Sequence, residues 1–175
     1  GFLFNQNPGD NGCGRPGGDY IQLPEFEAIW EDGITICAWA RFDDYAYFER
    51  IVDLSDDGSG YPAIWFGRQQ YTDNLILESW LDVDEVENRT TGRLIAWDAI
   101  NQGSTEFYCA TIEGDLMKIY ANGELIAEKQ GHPIANVPRS TNYIGHSSDC
   151  SNDPDFKGFM DEVRIYNRAL SATEI

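Results

Sequence analysis

KGFMDEVRIYNRALSATEI, from Lys157 to Ile175, is the stretch on which the fold turns. As a period-two strand it puts Phe159, Asp161, Val163 and Ile165 on one face, with Met160, Glu162, Arg164 and Tyr166 on the other. The first set is apolar apart from Asp161, so the spacing predicts a carboxylate pointing toward a core. A buried charge needs a counter-ion, hydrogen bonds or a metal. The closing SATEI predicts the start of a short helix, capped by Ser171 with Glu174 at the capping-box position.

The rest of the chain alternates in the same way. ITICAWARF (34–42) places Ile34, Ile36, Ala38, Ala40 and Phe42 on one face and Thr35, Cys37, Trp39 and Arg41 on the other. Strand patterns recur in DYIQL (19–23), YFERIVDL (47–54), AIWFG (63–67), NLILESWLDV (74–83), RLIAWDAI (93–100), EFYCATI (106–112) and NYIG (142–145). In LMKIYANGELIAEK (116–129), Asn122-Gly123 between two alternating runs predicts a type I′ hairpin turn. PEFEAIWEDG (24–33) reads as a connection with a single helical turn. Trp39 and Trp65, inside apolar strands, read as core. About ten to twelve short strands and almost no helix imply two packed antiparallel sheets in one domain, residues 1–175.

A hydrophobic content of 42% with 13% aromatics is that of a globular chain. The formal charge of −18 repels nucleic acid and anionic membranes and disfavours both as partners. Acidic loops also suit calcium, a hard cation that takes oxygen ligands. No signal-peptide pattern or membrane-spanning run is present, and the chain reads as a module excised from a larger protein, with neighbouring domains. Cys13, Cys37, Cys109 and Cys150 show no CxxC spacing, so two disulfides in an oxidising compartment are expected rather than zinc. Three connectivities are open.

Three segments together carry a resemblance: ITICAWARF, EFYCATIEGDLMKIYANGELIA, and NYIG with FKGFMDEVRIYNRALSATEI. From Asp19 onward they resemble laminin G-like modules of the concanavalin A-like lectin superfamily, of the type found in bacterial surface and secreted proteins. More distantly they are similar to the pentraxins. The resemblance implies an all-β, two-sheet antiparallel jelly-roll sandwich and a Cys37–Cys109 bridge, which leaves Cys13 with Cys150. It further implies a structural calcium between Asp19 and Asp161. The pentraxin likeness implies a second calcium and ligand site in the loops SDDGSG and HSSDCSNDPD, drawn from Asp56, Asp57, Asp149, Asp153 and Asp155. Family members often carry tryptophan and histidine where Phe107 and Tyr108 stand, and the acidic stretch LDVDEVENRTTG has no counterpart.

Sugars offer apolar C–H faces to aromatic rings and hydroxyls to Asp, Asn and Arg. Tyr61 and Tyr71, near glycine, proline and polar residues, are the exposed stacking candidates, with Arg68 as a nearby donor. DVDEVE (82–87) carries Asp82, Asp84 and Glu87 at a spacing that loosely resembles the Glu-x-Asp-x-x-Glu strand of glycoside hydrolases of related fold. Asp84 and Glu87 would face opposite sides of a regular strand, however, and acidic edges also guard against aggregation. His132 and His146 stand apart from any nucleophile pattern, and Asn88-Arg89-Thr90 is a glycosylation sequon. The expectation is a non-catalytic, calcium-stabilised, glycan-binding module of an extracellular or cell-surface protein. A glycoside hydrolase and a protein-binding or structural spacer are the alternatives.

Overall fold

The computed structural model describes residues 1–5, 18–56, 62–81, 92–148 and 153–175. Among them are twelve strands and no helix. In chain order the first six are β1 (Phe2–Phe4), β2 (Ile21–Leu23), β3 (Ile34–Phe42), β4 (Arg50–Ser55), β5 (Ala63–Arg68) and β6 (Leu75–Ser79). The others are β7 (Arg93–Ala96), β8 (Glu106–Glu113), β9 (Leu116–Ala121), β10 (Glu124–Gln130), β11 (Thr141–Ile144) and β12 (Gly158–Tyr166). They form two six-stranded sheets, ordered β1-β12-β3-β8-β9-β10 and β2-β11-β4-β5-β6-β7. This is the antiparallel sandwich that the alternation predicts.

The main core lies between the sheets. Ile34, Ile36, Ala38, Ala40 and Phe42 of β3 all face it and are fully buried, as read from the sequence. They join Leu54, Ile64, Phe66, Leu75 and Leu77 from the second sheet. Each large apolar side chain sealed this way contributes about 1.5–3 kcal/mol. The predicted hairpin is present: Asn122 and Gly123 have φ of 52° and 82°, the left-handed pair a type I′ turn requires.

The last strand departs from its predicted facing. β12 pairs with β3 from Gly158–Phe42 to Asp161–Trp39 and resumes at Arg164–Cys37, with a bulge between. Glu162 takes φ of 50° inside that bulge. The irregularity resets the period-two parity. Met160 therefore sits in the core before the bulge, and Val163 and Ile165 pack against the core after it. Asp161 falls on the outer face with its cross-strand partner Trp39, so the predicted inward carboxylate is corrected to an outward one. Trp39 is corrected likewise: it is 42% exposed rather than core.

The Cys37–Cys109 bridge implied by the resemblance is formed between directly opposed residues of β3 and β8, with Cα atoms 4.1 Å apart. It packs on the outer face of the first sheet with Tyr120. Cys13 and Cys150 lie outside the described residues. The 24–33 connection contains no helical turn; Phe26 instead exchanges two 2.8 Å backbone bonds with Arg139. At the C-terminus the capping arm exists without a helix. Glu174 accepts from the Ser171 N–H at 2.9 Å and pairs with Arg168 across a single turn.

Candidate functional site

Among the described residues, Asp19 and Asp161 have separate partners. The Asp161 carboxylate is 45% exposed and lies 3.4 Å from the Gly1 nitrogen. It also accepts the Glu162 N–H at 2.9 Å. Asp161 stands at the mouth of a cleft of about 300 Å³ lined largely by hydrocarbon from Phe2, Phe4, Ile21, Ile144 and Met160. Asp19 instead accepts the backbone and side-chain amides of Asn5 at 3.0 and 2.9 Å. Among the described residues no three carboxylate, histidine or cysteine side chains converge as a metal set. The described carboxylates thus do not fit the calcium the resemblance implies.

The described residues of the two polar loops do converge. Ser55, at the end of β4, and Ser148, after β11, place their hydroxyls 2.6 Å apart. Between them Asp53 accepts from Ser55 Oγ at 3.0 Å, Ser148 Oγ at 2.8 Å and the Ser148 N–H at 3.1 Å. Two of the carboxylates expected to face a ligand are closed on side chains of the protein: Asp153 accepts from Arg50 Nη2 at 2.7 Å, and Asp155 pairs with His146 Nδ1. Asp56 is partly exposed, and its carbonyl accepts the Ser140 N–H. Asp57, Asp149 and Tyr61 lie outside the described residues, as do Asp82, Asp84 and Glu87.

Asp53 was not singled out by sequence reasoning, and its role emerges only from the burial of its strand. RIVDLS is buried at every position, so its polar members at 53 and 55 mark a second covered face. That face is the outer side of the second sheet. Register carries one row of side chains across all six strands: Gln22 opposes Tyr143, Tyr143 opposes Asp53, Asp53 opposes Trp65, Trp65 opposes Glu78, and Glu78 opposes Arg93. At the usual strand spacing the row is roughly 24 Å long. Trp65 is buried here, in a satellite cluster with Ala63, Ile76 and Trp80, and not in the main core. The Arg50 guanidinium lies 3.4 Å from its ring centroid while donating to Asp53 through Nε. Glu78 accepts the Trp80 indole N–H at 2.8 Å and pairs with Arg93.

Aromatic side chains flank this floor on two sides. Phe48 meets Trp65 edge-on at 5.6 Å, Tyr47 meets Phe48 at 4.6 Å, and Tyr71 meets Tyr47 at 5.4 Å. Tyr71 is 66% exposed, the accessible position expected of it. On the other side Tyr20, 50% exposed, stacks on His146 at 4.7 Å and meets Tyr143 edge-on at 5.6 Å. Burial, then Tyr20 and Asp53, push the Tyr143 hydroxyl above its ordinary range and keep it a proton donor.

Arg68 is corrected from ligand contact to buried hub. It is fully buried and donates to Glu49 at 2.9 Å, to the Thr72 and Asp44 carbonyls at 2.6 and 3.1 Å, and to Gln102 at 2.7 Å. Three loops are thereby pinned together, with the Tyr45 ring 4.9 Å from the guanidinium. Burial pushes Glu49 up to about 7 against the pull of Arg68.

Residues 15–175 match the Laminin_G_3 family model, described as Concanavalin A-like lectin/glucanases superfamily. Among curated proteins none matches the chain. The CBM40 module of the Ruminococcus gnavus IT-sialidase, solved bound to α2,3-sialyllactose, superposes with a TM-score of 0.67 at 13% identity, over 89% of this chain and 93% of that one. Domain 4 of AbnA, a GH43 extracellular arabinanase from Geobacillus stearothermophilus solved with arabinotriose, gives 0.64 at 18% identity over 98% and 84%. The SAP-like pentraxin of Limulus polyphemus gives 0.63 at 13% identity over 98% and 78%. These likenesses are ones of fold. With the two sheets and the matched span together, the chain belongs to the laminin G-like family of the concanavalin A-like superfamily.

Proposed function

We propose that the protein is a non-catalytic carbohydrate-binding module of an extracellular or cell-surface protein, and that the sugar lies on the outer face of the second sheet. The observation that carries this reading is the pair of exposed aromatic edges, Tyr20 and Tyr71, on either side of a fixed polar floor. Tyrosine offers a ring for C–H faces and a hydroxyl for hydrogen bonding. Gln22, Tyr143 and Arg93 supply polar groups along the same row. Arg68 holds the Tyr71 loop in place before any ligand arrives, which lowers the ordering cost of binding. The sugar complexes of the sialidase module and the arabinanase domain support the ligand class, and the Cys37–Cys109 bridge supports an oxidising compartment.

The reading contains no metal step: of the carboxylates expected to hold calcium, Asp153 is paired with Arg50, Asp155 with His146, and Asp19 accepts the Asn5 amides. A glycan array probed with the whole chain, in calcium and then in chelator, is expected to give the same binding in both. Tyr71→Ala and Tyr20→Ala are each expected to weaken binding about tenfold, about 1.4 kcal/mol. Trp39→Ala, on the opposite sheet, is expected to leave it unchanged. Loss through Trp39 alone would move the site to the first sheet. Hydrolysis of a bound glycan would make the module an enzyme, and the absence of any glycan signal would favour a protein-binding spacer.

A further inference from the structure

We infer that this face selects uncharged sugars and discriminates against carboxylated ones, an inference that rests on the carbohydrate-binding reading above. Arg50 donates to Asp53 through Nε and to Asp153 through Nη2, so two carboxylates surround one guanidinium. Arg93 is paired with Glu78. A ligand carboxylate is best received by a guanidinium offering two parallel N–H groups; Arg50 has Nε and Nη2 both engaged and so offers neither its side-on nor its end-on fork, while Arg93 has its Nε side taken by Glu78. An anion brought to Arg50 would also lie beside Asp53 and Asp153, where like charge in a partly desolvated site is strongly unfavourable.

Arg50 nevertheless keeps one unused donor. Its Nη1 is buried and has no hydrogen-bond partner, while the side chain is pinned over Trp65. A buried donor without an acceptor is unfavourable until a ligand supplies one. The acceptor that fits is single and neutral: a hydroxyl, a ring or glycosidic oxygen, or an acetamido carbonyl. The net charge of −18 acts in the same direction at longer range.

The test compares a galactose-terminated with a galacturonate-terminated disaccharide, which differ only by a carboxylate in place of a hydroxymethyl group, by calorimetry on the whole chain at low salt, then extends to the other hexose and hexuronate pairs of the array. The neutral member is expected to bind at least tenfold more tightly, with the gap narrowing as salt screens the repulsion. Asp153→Asn removes one of the carboxylates around Arg50 and is expected to narrow the neutral-to-acidic ratio by tenfold or more. Arg50→Lys keeps the charge but removes the planar donor, and is expected to lower affinity for the neutral sugar. Should either substitution unfold the domain, the salt dependence of the wild-type ratio still decides. Equal or tighter binding of the acidic member overturns the inference and leaves glycan binding intact. Silence from every member of every pair on the array removes the carbohydrate reading and this inference with it.

Discussion

Glu49 and Arg68 make a testable pair, because their charges are buried together under the rim loops. The Glu49 carboxyl, ordinarily near 4.5, is pushed by burial to about 7. A raised carboxyl contributes stability that is complete below about 4.5 and lost as pH rises through 7. A displacement of that size corresponds to on the order of 3 kcal/mol. Urea unfolding at pH 5 and pH 8 should therefore show the wild type losing stability across that window, with Glu49→Gln flattening the slope. Glu174, drawn down to about 2 by Arg168 and then by Ser171, acts only in a more acidic range, so it does not blur the test. The inward position of Arg68 was legible. Ile64, Phe66 and Arg68 share a parity on β5, and two of the three are core. The reading as a ligand contact followed the polar loop beyond it and overlooked that parity.

At the scale of elements, what the sequence carried was period and turn chemistry. Asn122-Gly123 announced its hairpin because those two residue types tolerate positive φ. The bulge in β12 was not legible, since the residue at φ 50° is Glu162, a type that advertises nothing. One unmarked irregularity was enough to invert the facing of Asp161, the step that called for a buried counter-charge there. Glu162→Gly tests this directly. In a regular strand glycine would cost roughly 0.5–1 kcal/mol, whereas relief at a left-handed position offsets that loss. Denaturant melts are expected to show a change within about 0.5 kcal/mol or a gain, and a loss above 1 kcal/mol would speak for an uninterrupted strand.

For the whole molecule, the sandwich was readable strand by strand, but the row on its second sheet was not. Gln22, Tyr143, Asp53, Trp65, Glu78 and Arg93 become neighbours only through register between strands distant in sequence. No periodicity within one strand encodes that. The resemblance supplied the Cys37–Cys109 bridge, which joins residues 72 apart. Replacing both cysteines by alanine is expected to lower stability by about 4 kcal/mol on the chain-entropy account, measured by urea unfolding. The same bridge has a mechanical consequence. With the bond intact, a domain pulled from its ends cannot pay out the segment between the two cysteines, so under tension it acts as a short tether. Reduction would release roughly 240 Å of extra contour length, a step that optical tweezers can resolve with and without reductant.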